Sequence, residues 1–259
     1  MVKIFRIIRQ KIAAENLPDR QAGKVMAYLR YAIGEILLVV LGILIALQIN
    51  NWNENRKLQI NEEHLYKKLI TDLTSEEKKI KSQIYYLKLH QDLHYNIYRQ
   101  TKGKVNGDKT ISYNRLQWII IYHPIIKENY ASILDKITND GIRDFVSRYI
   151  SIENSTIDAN AEFNEYKLQY LRPYFSEHGI LNTDSAFNNT PYEFMSLDKI
   201  ELINRKKLEE QYGSKEMDQI LFNLRFKTSW MIHNFNLLEE HNNKLRLALE
   251  NELGLEETK

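Results

Sequence analysis

Apolar and polar residues follow a helical period over most of the chain, but near the N-terminus the apolar side chains form one continuous run. From Tyr31 to Ile49, 19 residues, only Glu35 and Gln48 are polar. A helix of that length spans about 28 Å, close to the ~30 Å hydrocarbon thickness of a bilayer. The run therefore predicts a transmembrane helix at 31–51 in contact with the lipid bilayer, rather than the buried core helix of a soluble protein.

The charge before this run predicts its orientation. Residues 1–30 hold seven Lys or Arg and two acids, while the whole chain has a net charge of only +2. An excess of Lys and Arg marks the cytoplasmic side of a membrane span. We therefore predict a cytoplasmic N-terminus and place the bulk of the chain on the other side of the membrane. The small overall charge gives no indication of a nucleic acid partner.

Residues 1–30 also contain a basic amphipathic pattern. Ile4, Phe5, Ile8 and Ile12 share one face of a helix, and basic side chains occupy the rest. Such a helix lies on an anionic membrane surface. The alternative is a partly ordered tail.

Small residues recur every four positions within the run, at Gly34, Gly42 and Ala46, with Leu38 between them. A smooth stripe of this kind lets two membrane helices pack closely. We therefore predict self-association through the transmembrane helix.

Glu35 is an acid inside the apolar run. A charged side chain in a span faces water, a partner or a cavity, because exposure to lipid is costly. Three roles stay open for it: reaching towards the cytoplasmic interface, hydrogen bonding across a helix oligomer, or serving a proton or ion pathway. Tyr31 at one end of the run and Asn51 and Trp52 at the other have the character of interface anchors.

The anchor as a whole, "YAIGEILLVVLGILIALQINNWNE", resembles the opening of an uncharacterised bacterial family of single-pass membrane proteins. The resemblance is close over about residues 24–56 and is only a coarse helical similarity beyond residue 60. It is carried by Gly34, Glu35, Gly42, Gln48, Asn50, Asn51, Trp52 and Asn53. It implies the bacterial inner membrane, with a periplasmic helical domain of unassigned function, and it supplies no catalytic residues.

Two long segments beyond the anchor have the four-three spacing of helices in a bundle or coiled coil. The first predicted seam is Tyr66, Ile70, Leu73, Glu77, Ile80, Ile84, Leu87, Gln91, His94 and Tyr98. The second is Met217, Leu221, Leu224, Thr228, Met231, Phe235, Leu238, Asn242, Leu245 and Leu249. Asn242 either fixes the register inside the bundle or lies in water near its open end.

The segments between are less regular. We predict short helices around the apolar run 118–122, a polar loop at 182–191, and a helix over about 197–212. A long helix is predicted over 142–178, with Pro173 kinking it or ending it early. Its predicted inner face is Ile142, Phe145, Tyr149, Ile157, Ala161, Leu168, Leu171 and Phe175.

The predicted fold class is therefore all-α: one N-terminal transmembrane helix followed by an elongated helical-bundle extracytoplasmic domain. The predicted divisions are a basic cytoplasmic segment at 1–30, the span at 31–51, a helical stalk at 52–65 and the bundle at 66–259.

Candidate chemistry is sparse. His90 and His94 are four residues apart on one helix, a spacing that can bind a metal or ligand, but Gln91 stands where a metalloprotease has its glutamate. The paired glutamates, including Glu76 and Glu77, are interpreted as solvated helix faces. The chain has no cysteine, which excludes thiolate metal sites and disulfides. No phosphate-binding or nucleophile motif is present, and no cofactor is expected.

Two functions from different classes remain. The first is a membrane-anchored, oligomeric, non-enzymatic interaction or sensing module that binds an envelope protein or a small ligand. The second is an enzyme of unrecognised type acting in the cell envelope, for which a concave pocket lined by titratable groups would be the sign. A purely structural membrane protein is a third possibility.

Overall fold

The computed structural model describes residues 21–105, 112–188 and 200–255, with side chains from Tyr28 onward. The predicted amphipathic segment before residue 21 lies outside the described residues. Within them no strand occurs, and β-structure is limited to one antiparallel bridge between Leu181 and Ile203. The all-α prediction is confirmed.

Packing divides the chain into two compact units, Met1–Asn61 and Glu62–Lys259. In the first unit, helix α1 (Gln21–Thr101) begins, and every side chain from Leu41 to Trp52 is exposed. α1 is the one helix among the described residues that is long and apolar enough, by length and composition, to cross a membrane. The predicted boundaries at residues 31, 52 and 66 stay predictions.

Three long helices form the second unit: the part of α1 from Glu62, α3 (Asp140–Tyr166) and α7 (Lys215–Glu252). α3 runs parallel to α1, since the backbone N–H of Thr138 donates to Glu62 and the ring of Phe163 contacts that of His90. α7 runs antiparallel to α1. Gln91 donates to Ser229, and nearer the N-terminus of α1 the carbonyl of Leu73 accepts from Asn242, which lies nearer the C-terminus of α7.

Helix α7 follows from its sequence most directly. The side chain of Ser214 accepts from the backbone N–H of Met217 and so caps the first turn, while Gly254, with φ +64°, follows the last turn. All ten residues of the predicted seam are buried. Asn242, which the sequence left undecided, is among them.

Helix α3 buries a face that only partly overlaps the predicted one: Ile142 and Tyr149 are buried as predicted, whereas Ala161 is exposed. Asn139 caps it by accepting from the backbone N–H of Ile142. Phe145 and Leu168 were predicted to be in the core but are 40% and 46% exposed. The residues that do face the core from α3 and the turn after it are Ile142, Val146, Tyr149, Ile150, Glu153, Thr156, Ala159, Phe163, Lys167 and Leu171.

A π-helical turn, Lys167–Leu171, joins α3 to α4 (Arg172–Glu177), so the helical run continues to Glu177 and Pro173 does not end it. The backbone N–H of Arg172 donates to the carbonyl of Lys167, five residues earlier. The wider turn adjusts the backbone just before a residue that has no N–H to donate.

The connection between α1 and α3 contains three short helical segments with buried residues. They are a 3-10 helix Tyr113–Leu116, helix α2 (Ile125–Tyr130) and a second 3-10 helix Ala131–Lys136. Residues 118–124 have no regular structure, which corrects the prediction of a helix over 118–122. Their backbone is instead held by side chains of the long helices: Asn164 pairs with both the N–H and the carbonyl of Ile120.

Two predictions for the region between α4 and α7 are wrong. The expected polar loop contains helix α5 (Thr183–Asn188). Residues 197–199 of the expected helix over 197–212 lie outside the described residues. From residue 200 to 212 the α-helix is limited to α6 (Arg205–Glu209), because the backbone of Leu202 and Asn204 pairs with other segments. The N–H of Leu202 donates to Asn114 at 2.8 Å and that of Asn204 to the Ile180 carbonyl at 2.7 Å.

Candidate functional site

One cluster of polar side chains that the second unit buries, the acid cluster, consists of Glu76, Glu153, Tyr122, Tyr149 and Asn242. Glu76 comes from α1 and Glu153 from α3, and both side chains have 0% exposure. Glu76 was interpreted as part of a solvated helix face, which is wrong. Both acids lie on the faces that α1 and α3 turn towards each other.

Every oxygen of the two carboxyl groups in the acid cluster has a donor. Glu76 accepts from the hydroxyls of Tyr122 at 3.0 Å and Tyr149 at 3.2 Å. Glu153 accepts from the backbone N–H groups of Ile126 at 3.1 Å and Lys127 at 2.6 Å, in the first turn of α2. This network offsets the cost of removing the carboxyl groups from water.

The two acids are also close enough to share a hydrogen bond. Burial, together with the charge of Glu76 and the hydrogen bond to it, raises the pKa of Glu153 to about 9. The two carboxyl groups therefore hold one proton between them at neutral pH, because both cannot ionise at one buried site. Burial and then the charge of Glu76 also raise the pKa of Tyr122 and Tyr149.

A second cluster, the histidine cluster, consists of His90 and His94 on α1 with Phe163 and Lys167 from the α3 side. The ring centroids of His90 and His94 are 6.1 Å apart, and that of Phe163 is 6.0 Å from His90. The Nζ atom of Lys167 lies 4.7 Å from the Phe163 ring centroid. All four side chains are buried.

Lys167 spans the gap between α3 and the connection that follows α1. Its Nζ donates to the carbonyls of Arg115 at 3.0 Å and Trp118 at 2.6 Å. Burial, assisted by the charge of Arg172, lowers its pKa to about 7. A neutral amine has two N–H groups, which match these two acceptors.

The histidines have far fewer partners. Nδ1 of His90 and both ring nitrogens of His94 are buried without a hydrogen bond. Burial, followed by the charge of Lys167, lowers the pKa of His90 to about 3 and that of His94 well below its usual value. Both rings are therefore neutral. Among the described residues no group of three or more His, Asp or Glu is arranged to hold a metal ion.

Open depressions on the surface of the second unit include two that border α7. A pocket of about 260 Å³ lies between α1 and α7 and borders His94. A shallower cleft of about 560 Å³ lies between α3, the π-helical turn and α7. It includes the stacked rings of Tyr166 and Tyr170, whose centroids are 5.0 Å apart.

The predicted membrane residues all lie on α1 in the first unit. A Cβ atom added at Gly34 or Gly42 would meet nothing within 4 Å, so no contact within the chain requires glycine there. Ala46, Asn51 and Trp52 are exposed, whereas Leu38 and Tyr31 are half-buried. Glu35 is exposed. The guanidinium of Arg56 lies 5.8 Å from the ring centroid of Trp52.

Sequence reasoning found the two histidines but missed Glu153 and Lys167. Glu153 lies four residues after the buried Tyr149, and Lys167 lies four residues after the buried Phe163, so each shares a buried helix face with the residue before it. A polar residue at such a position is the only signal the sequence carries.

A family model described as a family of unknown function, DUF6090, matches residues 35–104. The match covers the apolar run and the part of α1 that contains Glu76, His90 and His94. It supports similarity to an uncharacterised domain family. No curated protein and no solved structure matches the chain.

Proposed function

We propose that the chain is a membrane-anchored, non-enzymatic binding module. Residues 31–51 anchor it in the bacterial inner membrane, and the helical unit from Glu62 binds its partner on the periplasmic side. The observation that carries the proposal is the exposed apolar surface of α1. From Leu41 to Leu47 every side chain is exposed and only apolar residues and one glycine occur.

Such a surface is unfavourable in water. Burying apolar area contributes roughly 25 cal/mol per Å², and soluble proteins seldom leave a continuous apolar helix uncovered. A bilayer covers it on all sides, and the intrahelical hydrogen bonds satisfy the backbone there. The basic residues before the run support a cytoplasmic N-terminus.

Binding is favoured over catalysis by the location of the titratable groups. Glu76 and Glu153 are 0% exposed and already bonded to protein donors. A general acid or base needs access to its substrate. Of the seven residues that border the pocket between α1 and α7, only Asp218 is an acid, and it already pairs with Lys102.

The anchor and its orientation are tested by cysteine labelling, since the chain has no cysteine of its own. Lys11→Cys and Lys88→Cys place one thiol before and one thiol after the span, and Lys88 is exposed. In spheroplasts, a membrane-impermeant maleimide should label the thiol at 88 at once and the thiol at 11 only after lysis. The reverse order would refute the orientation, and release of the protein by alkaline carbonate would refute the anchor.

The oligomeric part of the proposal is tested at the small-residue stripe. Gly42→Ile with Ala46→Ile should reduce self-association in a bilayer at least several-fold, because the larger side chains hold the two helices apart. Val40→Ile with Leu44→Phe adds bulk to the opposite side of the helix and should leave it unchanged. Cross-linking in native membranes measures both. Equal cross-linking of the two variants would refute close packing through the stripe.

A further inference from the structure

The pocket between α1 and α7 has the features of a small-molecule site. It is a concave space of about 260 Å³, below the roughly 300–1,000 Å³ of pockets that hold drug-sized ligands. A single ring with a short substituent fits a space of this size. Its lining residues are His94, Tyr95, Tyr98, Asp218, Leu221, Phe222 and Arg225.

Three aromatic side chains that line the pocket are partly exposed to solvent. Tyr95, Tyr98 and Phe222 are 50%, 42% and 66% exposed, although each lies beside the bundle core. Leu221, which is buried, closes the apolar side of the pocket. Flat aromatic faces next to an aliphatic side chain favour a planar ring, which gains ring–ring contacts in addition to apolar burial.

The charge at the mouth is positive. The guanidinium carbons of Arg225 and Arg99 lie 5.6 Å and 5.8 Å from the ring centroid of Tyr95. Lys102 lies 5.4 Å from that of Tyr98, and its Nζ bonds Asp218 at 2.6 Å. Asp218 thus neutralises Lys102. In the described part of the chain, neither arginine forms an ion pair with a carboxylate, so both positive charges remain for an anion.

Some of the polar side-chain atoms at the pocket have no hydrogen-bond partner. His94 borders the pocket, and neither of its ring nitrogens has a hydrogen-bond partner. The Oδ1 atom of Asp218 is also buried without one. A bound molecule with a polar ring substituent would supply partners to such groups, whereas a purely apolar one would not.

We propose that this pocket binds a small aromatic carboxylate, whose ring packs among Tyr95, Tyr98 and Phe222 and whose carboxylate pairs with Arg225. This inference rests on the proposed binding function and names its ligand class. The guanidinium of Arg225, 5.6 Å from the Tyr95 ring centroid, can donate two N–H groups to one carboxylate.

The test is calorimetric titration of the full-length protein in nanodiscs with three probes. 4-Hydroxybenzoate has the ring and the charge, cyclohexanecarboxylate has the charge without the aromatic ring, and 4-hydroxybenzamide has the ring without the charge. The first should bind saturably and at least tenfold more tightly than the other two. Equal binding of all three, or no saturable binding of 4-hydroxybenzoate, would overturn the proposal.

Variants locate the binding. Phe222→Ala and Arg225→Gln should each weaken 4-hydroxybenzoate binding at least tenfold, and both residues are exposed, so the fold should survive. Tyr170→Ala removes a 58% exposed tyrosine in the other cleft and should leave the affinity unchanged. Circular dichroism of each variant verifies the fold. Equal losses in all three variants would refute the location.

This outcome is separable from that of the maleimide labelling. A correctly oriented protein that fails to bind 4-hydroxybenzoate refutes the ligand class and leaves the anchored module standing. A protein that binds the probe but is released by carbonate refutes the anchor and leaves the pocket standing.

Discussion

The acid cluster and the histidine cluster are buried in the same three-helix unit but differ in whether their polar atoms have hydrogen-bond partners. In the acid cluster, tyrosine hydroxyls and backbone N–H groups reach the carboxyl oxygens, as at Glu76. In the histidine cluster, His94 is also buried, but neither of its ring nitrogens has a hydrogen-bond partner among the described residues. Satisfied polar groups fix a structure, while unsatisfied ones weaken it unless they serve another purpose.

The largest effect is expected at Glu76, where both carboxyl oxygens have donors. Glu76→Ala leaves the hydroxyls of Tyr122 and Tyr149 and the N–H of Ile125 without their acceptor and opens a cavity between α1 and α3. We expect the free energy of unfolding to fall by about 3–5 kcal/mol. Denaturant titration of the detergent-solubilised chain, followed by circular dichroism, measures it. A loss below about 1 kcal/mol would show that the network contributes little.

A second effect concerns pH. The folded-state pKa of Glu153, about 9, lies above its ordinary value of 4.5. Its contribution to stability is therefore fully present at low pH and is lost as the pH rises through 4.5 towards 9. Glu76→Gln removes the neighbouring charge, keeps an oxygen to accept from Tyr122, and should bring the pKa of Glu153 down.

The measurement is the difference in unfolding free energy between Glu76→Gln and the unmodified chain at several pH values. Lys167, His90 and His94 have lowered pKa values, so their contributions rise with pH, but they titrate alike in both proteins and cancel. Between pH 5 and pH 9, the unfolding free energy of Glu76→Gln should rise by about 2 kcal/mol relative to that of the unmodified chain. A difference that does not depend on pH would refute the coupling of the two acids.

A smaller effect is expected in the histidine cluster, where a substitution should raise the free energy of unfolding, whereas Glu76→Ala lowers it. His94→Leu removes two unbonded polar atoms and fills a similar volume, so at pH 7 we expect no loss, or a gain of up to about 1 kcal/mol. The gain should grow at pH 5, because unfolded His94 binds a proton that leucine cannot. Thermal unfolding at both pH values measures it. A clear loss of stability would show that His94 has a partner that helps to hold the fold.

The sequence predicted the helices best where one periodic face decides the packing. The seam of α7 is uninterrupted, and all ten residues that the spacing identified are buried. Ile220 and Asn234, which are buried beside the seam, were not identified. Glu76 was misread because it stands beside Glu77, and its donors lie 46 and 49 residues away at Tyr122 and Ile125. Periodicity carries no information about partners at such separations.

The same limit explains the shortened helix α6. Its sequence favours a helix over 197–212, yet the backbone of Leu202 bonds Asn114, 88 residues earlier. Tertiary hydrogen bonds override a helix propensity worth only tenths of a kcal/mol per residue. The acid cluster and the pocket are both assembled by contacts of this kind, which is why the sequence yielded only the histidines.

Glu77 gives the smallest effect and the sharpest control for the acid cluster. It is adjacent to Glu76 but points outwards, where it pairs with Lys81 at 2.5 Å and with Arg246 at 2.8 Å. Hydrogen bonds from Lys81, together with those from Arg246, lower the pKa of Glu77. Lys81 is exposed, while Glu77 and Arg246 are half-buried. Ion pairs at a protein surface that water still reaches contribute little to stability. Glu77→Gln should therefore cost about 0.5 kcal/mol, and raised salt should shrink that cost further. Should Glu77→Gln instead destabilise the chain as much as Glu76→Ala, the stability of this turn of α1 would come from its charge rather than from the buried network.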